Sequence, residues 1–350
     1  MSTPPIDPGR SRPRIRWKRL AVFVFLPIAL LGVGLWVLCA AMPGRSWSEA
    51  LEPPDVDELA LAHELRATVE RLCEHGPRNL DHPEALARAV DAVEELLEGP
   101  TQLPVWRESY AARPNGIDSC NLVLDLPGTR APREFVVVGA HYDSAGDAPG
   151  ANDDGSGVAA LCALARRFAG RAHDRSLRFV AFANEEPPFF ETEAMGSRVH
   201  ARRAHERGET LVAMLALETL GCYSDADGSQ RYPMPALALA YPSRGDFVAF
   251  VGDLGSRALV RECVGAFRAN ARFPSEGAAL PAWIPGVDWS DHASFRPYGV
   301  PAAMVTDTAV FRDPNYHRRT DVPERLDYER FARVVRGLEH VVDRLASSSR

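Results

Sequence analysis

Apolar residues recur at helical spacing through residues 57–73 (Leu59, Leu61, Leu65, Val69, Leu72) and again through 85–97 (Ala85, Leu86, Ala89, Val90, Val93, Leu96, Leu97). This spacing predicts two amphipathic helices. The pattern then shortens. Residues 121–126 (NLVLDL) and 134–140 (EFVVVGA) are apolar runs of strand length ending in turn chemistry. Helix and strand patterns alternate from there: a helix over 157–168, a strand over 177–183, a helix over 194–206 and a strand over 211–217. One more strand follows at 302–306, and an amphipathic helix closes the chain over 328–345. Strands that are continuously apolar and alternate with helices belong to a mostly parallel sheet covered on both faces. The fold class is therefore α/β, as a single three-layer α/β/α sandwich. Residues 222–289, rich in proline and polar turns, read as an insertion or long loops over one edge.

The first 42 residues follow a different pattern. Residues 20–42 (LAVFVFLPIALLGVGLWVLCAAM) hold no charged side chain, and a membrane-spanning helix needs about 20 such residues. A cleaved signal peptide has a shorter apolar stretch and a small-residue cleavage site, for which Cys39-Ala40-Ala41 is a poor match. A core helix is rarely apolar on every face. The pattern predicts a retained transmembrane signal anchor. Residues 1–20 carry six basic side chains against Asp7 alone, a surplus of +5 that leaves −12 on the rest of a chain whose net charge is −7. The positive-inside rule leaves the basic tail, 1–19, in the cytoplasm and everything after Met42 outside, as a periplasmic or extracellular domain. Residues 43–56 read as a linker and 57–350 as the folded domain. The acidic body argues against nucleic acid as a partner.

Composition adds little more: 46% hydrophobic and 25% charged is that of a globular chain. The six cysteines (39, 73, 120, 162, 222, 263) include no C-x-x-C pair, which excludes a zinc ribbon. An extracytoplasmic domain permits disulfides, and Cys73 with Cys120 is a conceivable pair. Cys162 lies in an apolar helix pattern and reads as core.

Ligands bind open α/β sheets beyond the carboxyl ends of the strands, and the notable polar residues fall there. One strand runs into His141-Tyr-Asp143-Ser144, another into Glu185-Glu186, a third into Glu218. Between the first two lies Gly150-Ala-Asn-Asp153-Asp154-Gly-Ser-Gly157, and far downstream comes Asn315-Tyr-His317. A lone histidine at a strand end is more often a satisfied polar residue, a Glu-Glu pair a solvated edge, and the Asp-Asp-Gly turn a helix cap. Together they make a histidine and carboxylate set of the kind zinc prefers.

In this order G-A-H-Y-D-S, G-A-N-D-D-G-S-G, F-A-N-E-E, L-E-T-L-G, S-D-H-A-S-F and N-Y-H-x-x-x-D resemble the co-catalytic two-zinc exopeptidases, a family that includes bacterial leucyl aminopeptidases, glutamate carboxypeptidase and the glutaminyl cyclases. The resemblance spans residues 57–345. It implies two Zn2+ per chain, bridged by Asp153. His141 and Glu218 would complete one site, and Glu186 with His317 the other. It makes Glu185 the general base and Asp143 the holder of the His141 ring. It also implies a cis peptide between Asp153 and Asp154.

The substrate so implied is a peptide or small amide, cut at its end. An aminopeptidase is the leading expectation. A glutaminyl-cyclase-like acyltransferase with one zinc, a carboxypeptidase or deacylase, and a non-catalytic receptor-like relative stand beside it. Three features depart from the family pattern. Glu218 stands where the aminopeptidases place aspartate, Pro187-Pro188-Phe-Phe-Glu-Thr-Glu replaces a glycine turn, and Asp321-Val322 replaces Asp-Thr. Asp291 and His292 are expected on the substrate side of the pocket. Nothing in the sequence sets the oligomeric state.

Overall fold

The computed structural model describes residues 39–348 except 114, 115 and 117, together with Leu30, Gly32 and Gly34. Most of the expected membrane span therefore lies outside the described residues. Among the described residues no helix is long and apolar enough to cross a membrane.

The chain from Met42 onward forms one compact unit. Its elements are α1 (Val56–Cys73), α2 (Pro83–Thr101), β1 (Trp106–Ala111), β2 (Asp118–Leu126), β3 (Ala131–His141), α3 (Gly157–Phe168), β4 (Arg175–Phe182), α4 (Gly196–Glu206), β5 (Thr210–Glu218), β6 (Val248–Asp253), α5 (Arg257–Asn270), β7 (Ser275–Leu280), β8 (Ala302–Thr306), the single turn α6 (Ala309–Arg312) and α7 (Tyr328–Ala346). A wide helical turn, Ala151–Ser156, leads into α3, and a 3-10 helix spans Asp291–Tyr298.

Local chemistry fixes several boundaries. Asp55 and Glu58 form a reciprocal capping box at the start of α1, which satisfies two otherwise orphaned N–H groups. Asp327 caps α7 by accepting from the Arg330 N–H at 3.0 Å.

The eight strands lie in the order β1-β2-β4-β3-β5-β8-β6-β7. The middle, β4-β3-β5-β8, is parallel, as the alternating pattern predicts. The ends are not: β1 and β2 join antiparallel, and β6 runs antiparallel to β8 while pairing parallel with β7. The alternation of side chains along each strand divides the core. Val136, Val138, Leu215, Leu217, Val248 and Phe250 face a large cluster with α1, α2, α3, α5 and α7. Val137, Met214, Ala216 and Ala302 face a smaller one covered by Ala201 of α4 and Phe295 of the 3-10 helix. Each fully buried Val, Leu, Met or Phe among these contributes roughly 1.5–3 kcal/mol.

Residues 222–289 are more than an insertion of loops. They supply β6, α5 and β7, which complete one end of the sheet. The Ser-Glu-Gly-Ala-Ala-Leu sequence of β7 carries few of the β-branched or aromatic residues that mark a strand, because Gly277 packs where a Cβ would sit only 2.7 Å from Met42. Residues 43–55 have no regular structure and lie along α5 and β7. Arg268 donates to the carbonyls of Pro43 and Gly44, and the Ser275 N–H donates to Ser46 Oγ at 2.9 Å. Cys73 and Cys120 form no disulfide, and Cys162 is buried in α3.

Candidate metal centre

Adjacent strands bring the first residues together. β3 pairs with β5 so that Gly139 lies beside Ala216, which sets His141 level with Glu218, two residues further along each strand. His141 Nε2 is 3.6 Å from Glu218 Oε2 and 3.3 Å from Asp153 Oδ1. On the other side of Asp153, His317 Nε2 lies 3.0 Å from Asp153 Oδ2 and 3.2 Å from Glu186 Oε2. Two trios, His141-Asp153-Glu218 and Asp153-Glu186-His317, thus meet in one carboxylate. Glu185 stands next to both, 3.9 Å from His141 Nε2. All seven site residues expected from the sequence, His141, Asp143, Asp153, Glu185, Glu186, Glu218 and His317, fall in this one cluster. Only His317 has substantial exposure.

The backbone is held to suit. Gly150 adopts φ +68°, and a Cβ there would meet Asp153 O at 2.5 Å, so no other residue fits that corner. The Asp153–Asp154 peptide is cis. The Asp154 carboxylate accepts from the Gly157 and Thr219 N–H groups, both at 3.0 Å, joining the turn to the end of β5.

Asp143 does more than hold the imidazole. Its two oxygens accept from the Glu185 and Glu186 N–H groups, each at 3.1 Å. The His141 Nδ1 faces the Asp143 carbonyl at 3.2 Å and the carboxylate at 3.5 Å. Donation through Nδ1 leaves the Nε2 lone pair free for a ligand. Asp321 repeats this arrangement across the site: its carboxylate accepts from the Asn152 N–H at 2.8 Å and the Asp153 N–H at 3.1 Å. Sequence reasoning gave Asp321 no role, although its place in the N-Y-H-x-x-x-D motif marked it.

Ser290 was also missed as an individual residue, and its hydroxyl donates to Glu218 Oε2 at 2.7 Å. Asp291 is buried and close enough to His141 to interact electrostatically. His292 Nε2 faces the carbonyl of Val287, a residue that lines the cavity beside Glu218, at 2.8 Å. Arg78, fully buried, carried no sequence signal at all. It donates to the carbonyls of Tyr142 and Gly150 at 2.9 Å, and also to that of Pro149, pinning the segment between His141 and Asp153.

The electrostatics call for positive charge. Burial pushes the Glu186 carboxyl up to about 8, with Asp153 adding to the rise. Burial likewise drives Glu185 well above the carboxylate range, and Glu186 and Glu218 reinforce it against His141. Burial also works to raise Asp153, but His141 and His317 hold it below the usual range. His141 Nε2, Asp153 Oδ2 and Glu186 Oε1 are buried with no hydrogen-bond partner. Crowded, dry, like-charged carboxylates with unspent lone pairs beside imidazole nitrogens are the donor set of a divalent metal site, and they fit zinc.

Beside Glu218 and Tyr316 opens a cavity of about 110 Å3 on the β5-β8-β6-β7 face of the sheet. Phe247, Leu280, Ile284, Met304 and Phe311 are among its walls, and the Tyr316 ring stacks on His317 at 3.9 Å. It is somewhat smaller than the roughly 150 Å3 that holds a benzene ring, so it has room for a single side chain.

An α/β sheet with a buried histidine and carboxylate cluster suited to a divalent metal at its strand ends, and Glu185 beside it, is the arrangement of a metal-dependent hydrolase. The chain belongs to peptidase family M28, whose description matches residues 121–342, and it is a metallopeptidase. It is 36% identical over 309 residues to a protein of Escherichia coli (strain K12) described as "Uncharacterized protein YfbL", covering 84% of this chain and 91% of that one. A "Probable leucine aminopeptidase" of Arthroderma otae is 27% identical over 230 residues, 61% of this chain and 54% of its own length. Of the "Probable zinc metalloprotease" chains from Pyrenophora and Pyricularia that it matches, this chain spans between 25% and 60%. Among solved structures, LapB from Legionella pneumophila shares the fold with a TM-score of 0.65 at 16% identity, over 97% of this chain and 84% of that one. Fimbriiglobus ruber glutaminyl cyclase shares it with a TM-score of 0.61 at 19% identity, over 87% and 99%.

Proposed function

We propose that this chain is an aminopeptidase that holds two zinc ions and removes single residues from the free amino ends of peptides. The observation that carries this reading is the pair of ligand trios joined through Asp153, with Glu185 free beside them and a one-residue pocket alongside. His141 and Glu218 would hold one ion, Glu186 and His317 the other, with Asp153 shared. When bound, the two ions supply an acidified water and positive charge for the oxygen that becomes negative during attack.

The protein's own residues do the rest. Glu185 takes the proton from the attacking water and returns it to the leaving amine. Asp143 holds the Glu185 and Glu186 backbones, so the base and its ligating neighbour move as one piece. Ser290 fixes the Glu218 carboxylate by occupying one of its oxygens, which compensates for the longer side chain in the position where aminopeptidases carry aspartate. The apolar pocket next to Glu218 and Tyr316 would take the side chain of the residue released and exclude water from it.

Residues 1–19 would stay in the cytoplasm, 20–42 would anchor the chain in the membrane, and the catalytic domain would act on peptides outside. Protection of the domain from added protease in spheroplasts with an intact inner membrane, with digestion only after lysis, would refute that orientation.

Peptides with free and with acetylated amino ends, offered to the zinc-loaded protein with and without chelator, test the activity. Chelator-sensitive release from free amino ends alone is the expected result. Cleavage from the carboxyl end would make Glu218 the mark of a carboxypeptidase. Cyclisation of amino-terminal glutamine would favour the acyltransferase reading.

A further inference from the structure

On the pocket face of the sheet one row of residues crosses four strands in register: Glu218 beside Thr306, Thr306 beside Ala249, and Ala249 beside Glu276. Residues paired in this way point their side chains to the same side of a sheet, and all four line the cavity. Strands lie about 4.8 Å apart, so three steps separate Glu218 from Glu276 by about 14 Å. The cavity thus starts at a carboxylate of the metal centre and reaches a second carboxylate on the edge strand. Between them the floor is small (Ala249, Thr306), and Phe247, Leu280 and Ile284 stand around it.

Glu276 is incompletely neutralised. Arg268 reaches around the edge of β7 to it, but only to 3.7 Å. The Arg268 N–H groups are directed instead at Ser275 Oγ and O (3.2 and 2.6 Å) and at the Pro43 and Gly44 carbonyls. Asp246 adds negative charge nearby, the Ser46 hydroxyl hydrogen-bonds to Glu276, and Tyr232 of the same cavity lies within electrostatic range. The Glu276 side chain is 21% exposed, so a ligand head group can reach it.

We infer that Glu276 makes this pocket select an amino-terminal residue with a long cationic side chain, lysine or arginine, over an uncharged residue of the same length. This rests on the aminopeptidase reading. A lysine side chain reaches about 6 Å from its Cα and its ammonium bonds over about 3 Å, so it covers about 9 Å of the roughly 14 Å row toward Glu276. Leucine reaches only about 4 Å and leaves Glu276 untouched. The methylene stem of lysine suits the apolar walls, while its ammonium meets the carboxylate at the far end. Burial raises the Glu276 pKa, as it does for any acid set among apolar groups, and a cation beside it opposes that rise.

Four peptides identical except for amino-terminal lysine, arginine, norleucine or leucine test the inference on the zinc-loaded protein. Lysine and arginine should exceed norleucine in kcat/KM by about tenfold or more, and Glu276→Gln should reduce the lysine-to-norleucine ratio by about tenfold. The ratio within one preparation does not depend on how much of a variant folds. Norleucine equal to or faster than lysine in the unmodified protein would overturn the inference while leaving the aminopeptidase intact. So would a ratio that Glu276→Gln does not move. No chelator-sensitive cleavage of any of the four would remove the aminopeptidase reading, and this inference with it.

Discussion

The metal cradle and the pocket wall occupy neighbouring parts of one sheet, yet they are built differently. In the cradle three acidic side chains are oriented by the main chain: Asp143 by the Glu185 and Glu186 N–H groups, Asp321 by those of Asn152 and Asp153, Asp154 by those of Gly157 and Thr219. These hydrogen bonds tie several loops into one unit that holds like charges together, which an apolar packing could not do. The pocket wall is held by apolar contact along β6, β7 and β8 and by segments far apart in the chain. Chemistry here depends on directional bonds at strand ends, and side-chain choice on the shape left between strands and loops. A change in the cradle should therefore alter the rate for every substrate, and a change in the wall the ranking of substrates.

Removing the metal is the most severe way to break the cradle. Chelation should abolish peptide cleavage, with titrated zinc restoring it at two equivalents per chain, measured by activity against metal content. The same titration should raise the melting temperature, because a ligand at about 1,000 times its Kd stabilises by about 4 kcal/mol. A single equivalent restoring full rate would remove the shared role of Asp153.

Glu185→Gln keeps the shape of the side chain and removes the base. It should lower kcat by about 10^3-fold for all peptides with little change in KM, and zinc content should stay the same. A loss confined to some peptides would mean that Glu185 belongs with the wall.

Arg78→Ala tests whether the cradle needs support from beneath. It would leave the carbonyls of Tyr142, Pro149 and Gly150 buried without their donor, at a cost of about 3 kcal/mol in urea unfolding. Rates should fall in proportion for every substrate.

The smallest effect belongs to the wall. Ala249→Phe fills the cavity floor, and kcat/KM for large amino-terminal residues should drop about tenfold relative to alanine. Zinc content and the alanine rate would show that the cradle is untouched. Equal losses for alanine and leucine would erase the distinction between the two regions.

Much of the cradle was readable because its motifs are compact. His141 and Asp143 follow one strand, Glu185 and Glu186 another, and Asp153 sits in a glycine-bounded turn, so a few neighbouring letters carry each piece. Asp143 shows the limit of such reading: expected mainly as the partner of the His141 ring, it spends its oxygens on the next strand's loop. Arg78 left no trace, since a lone arginine in a polar stretch resembles any solvated one until the fold closes over it. β6 and β7 escaped detection for a related reason. β7 (SEGAAL) has no strong hydrophobic period, and the apolar run of β6 (VAFVGD) stands in a proline- and polar-rich stretch, so residues 222–289 looked like loops.

The amino-acid sequence alone determined the α/β alternation and the parallel middle of the sheet through local periodicity, and it set seven chemically suited residues in short motifs that the fold then brings together. Only the tertiary structure decided which carboxylates meet, how Asp321 and Ser290 brace them, and that Glu276 shares a pocket with Glu218. Those pairings come from strand register and loop closure between residues as many as 169 positions apart, as for Asn152 and Asp321. Hydrophobic burial drives that closure, and no short stretch of chain records where its two ends will meet.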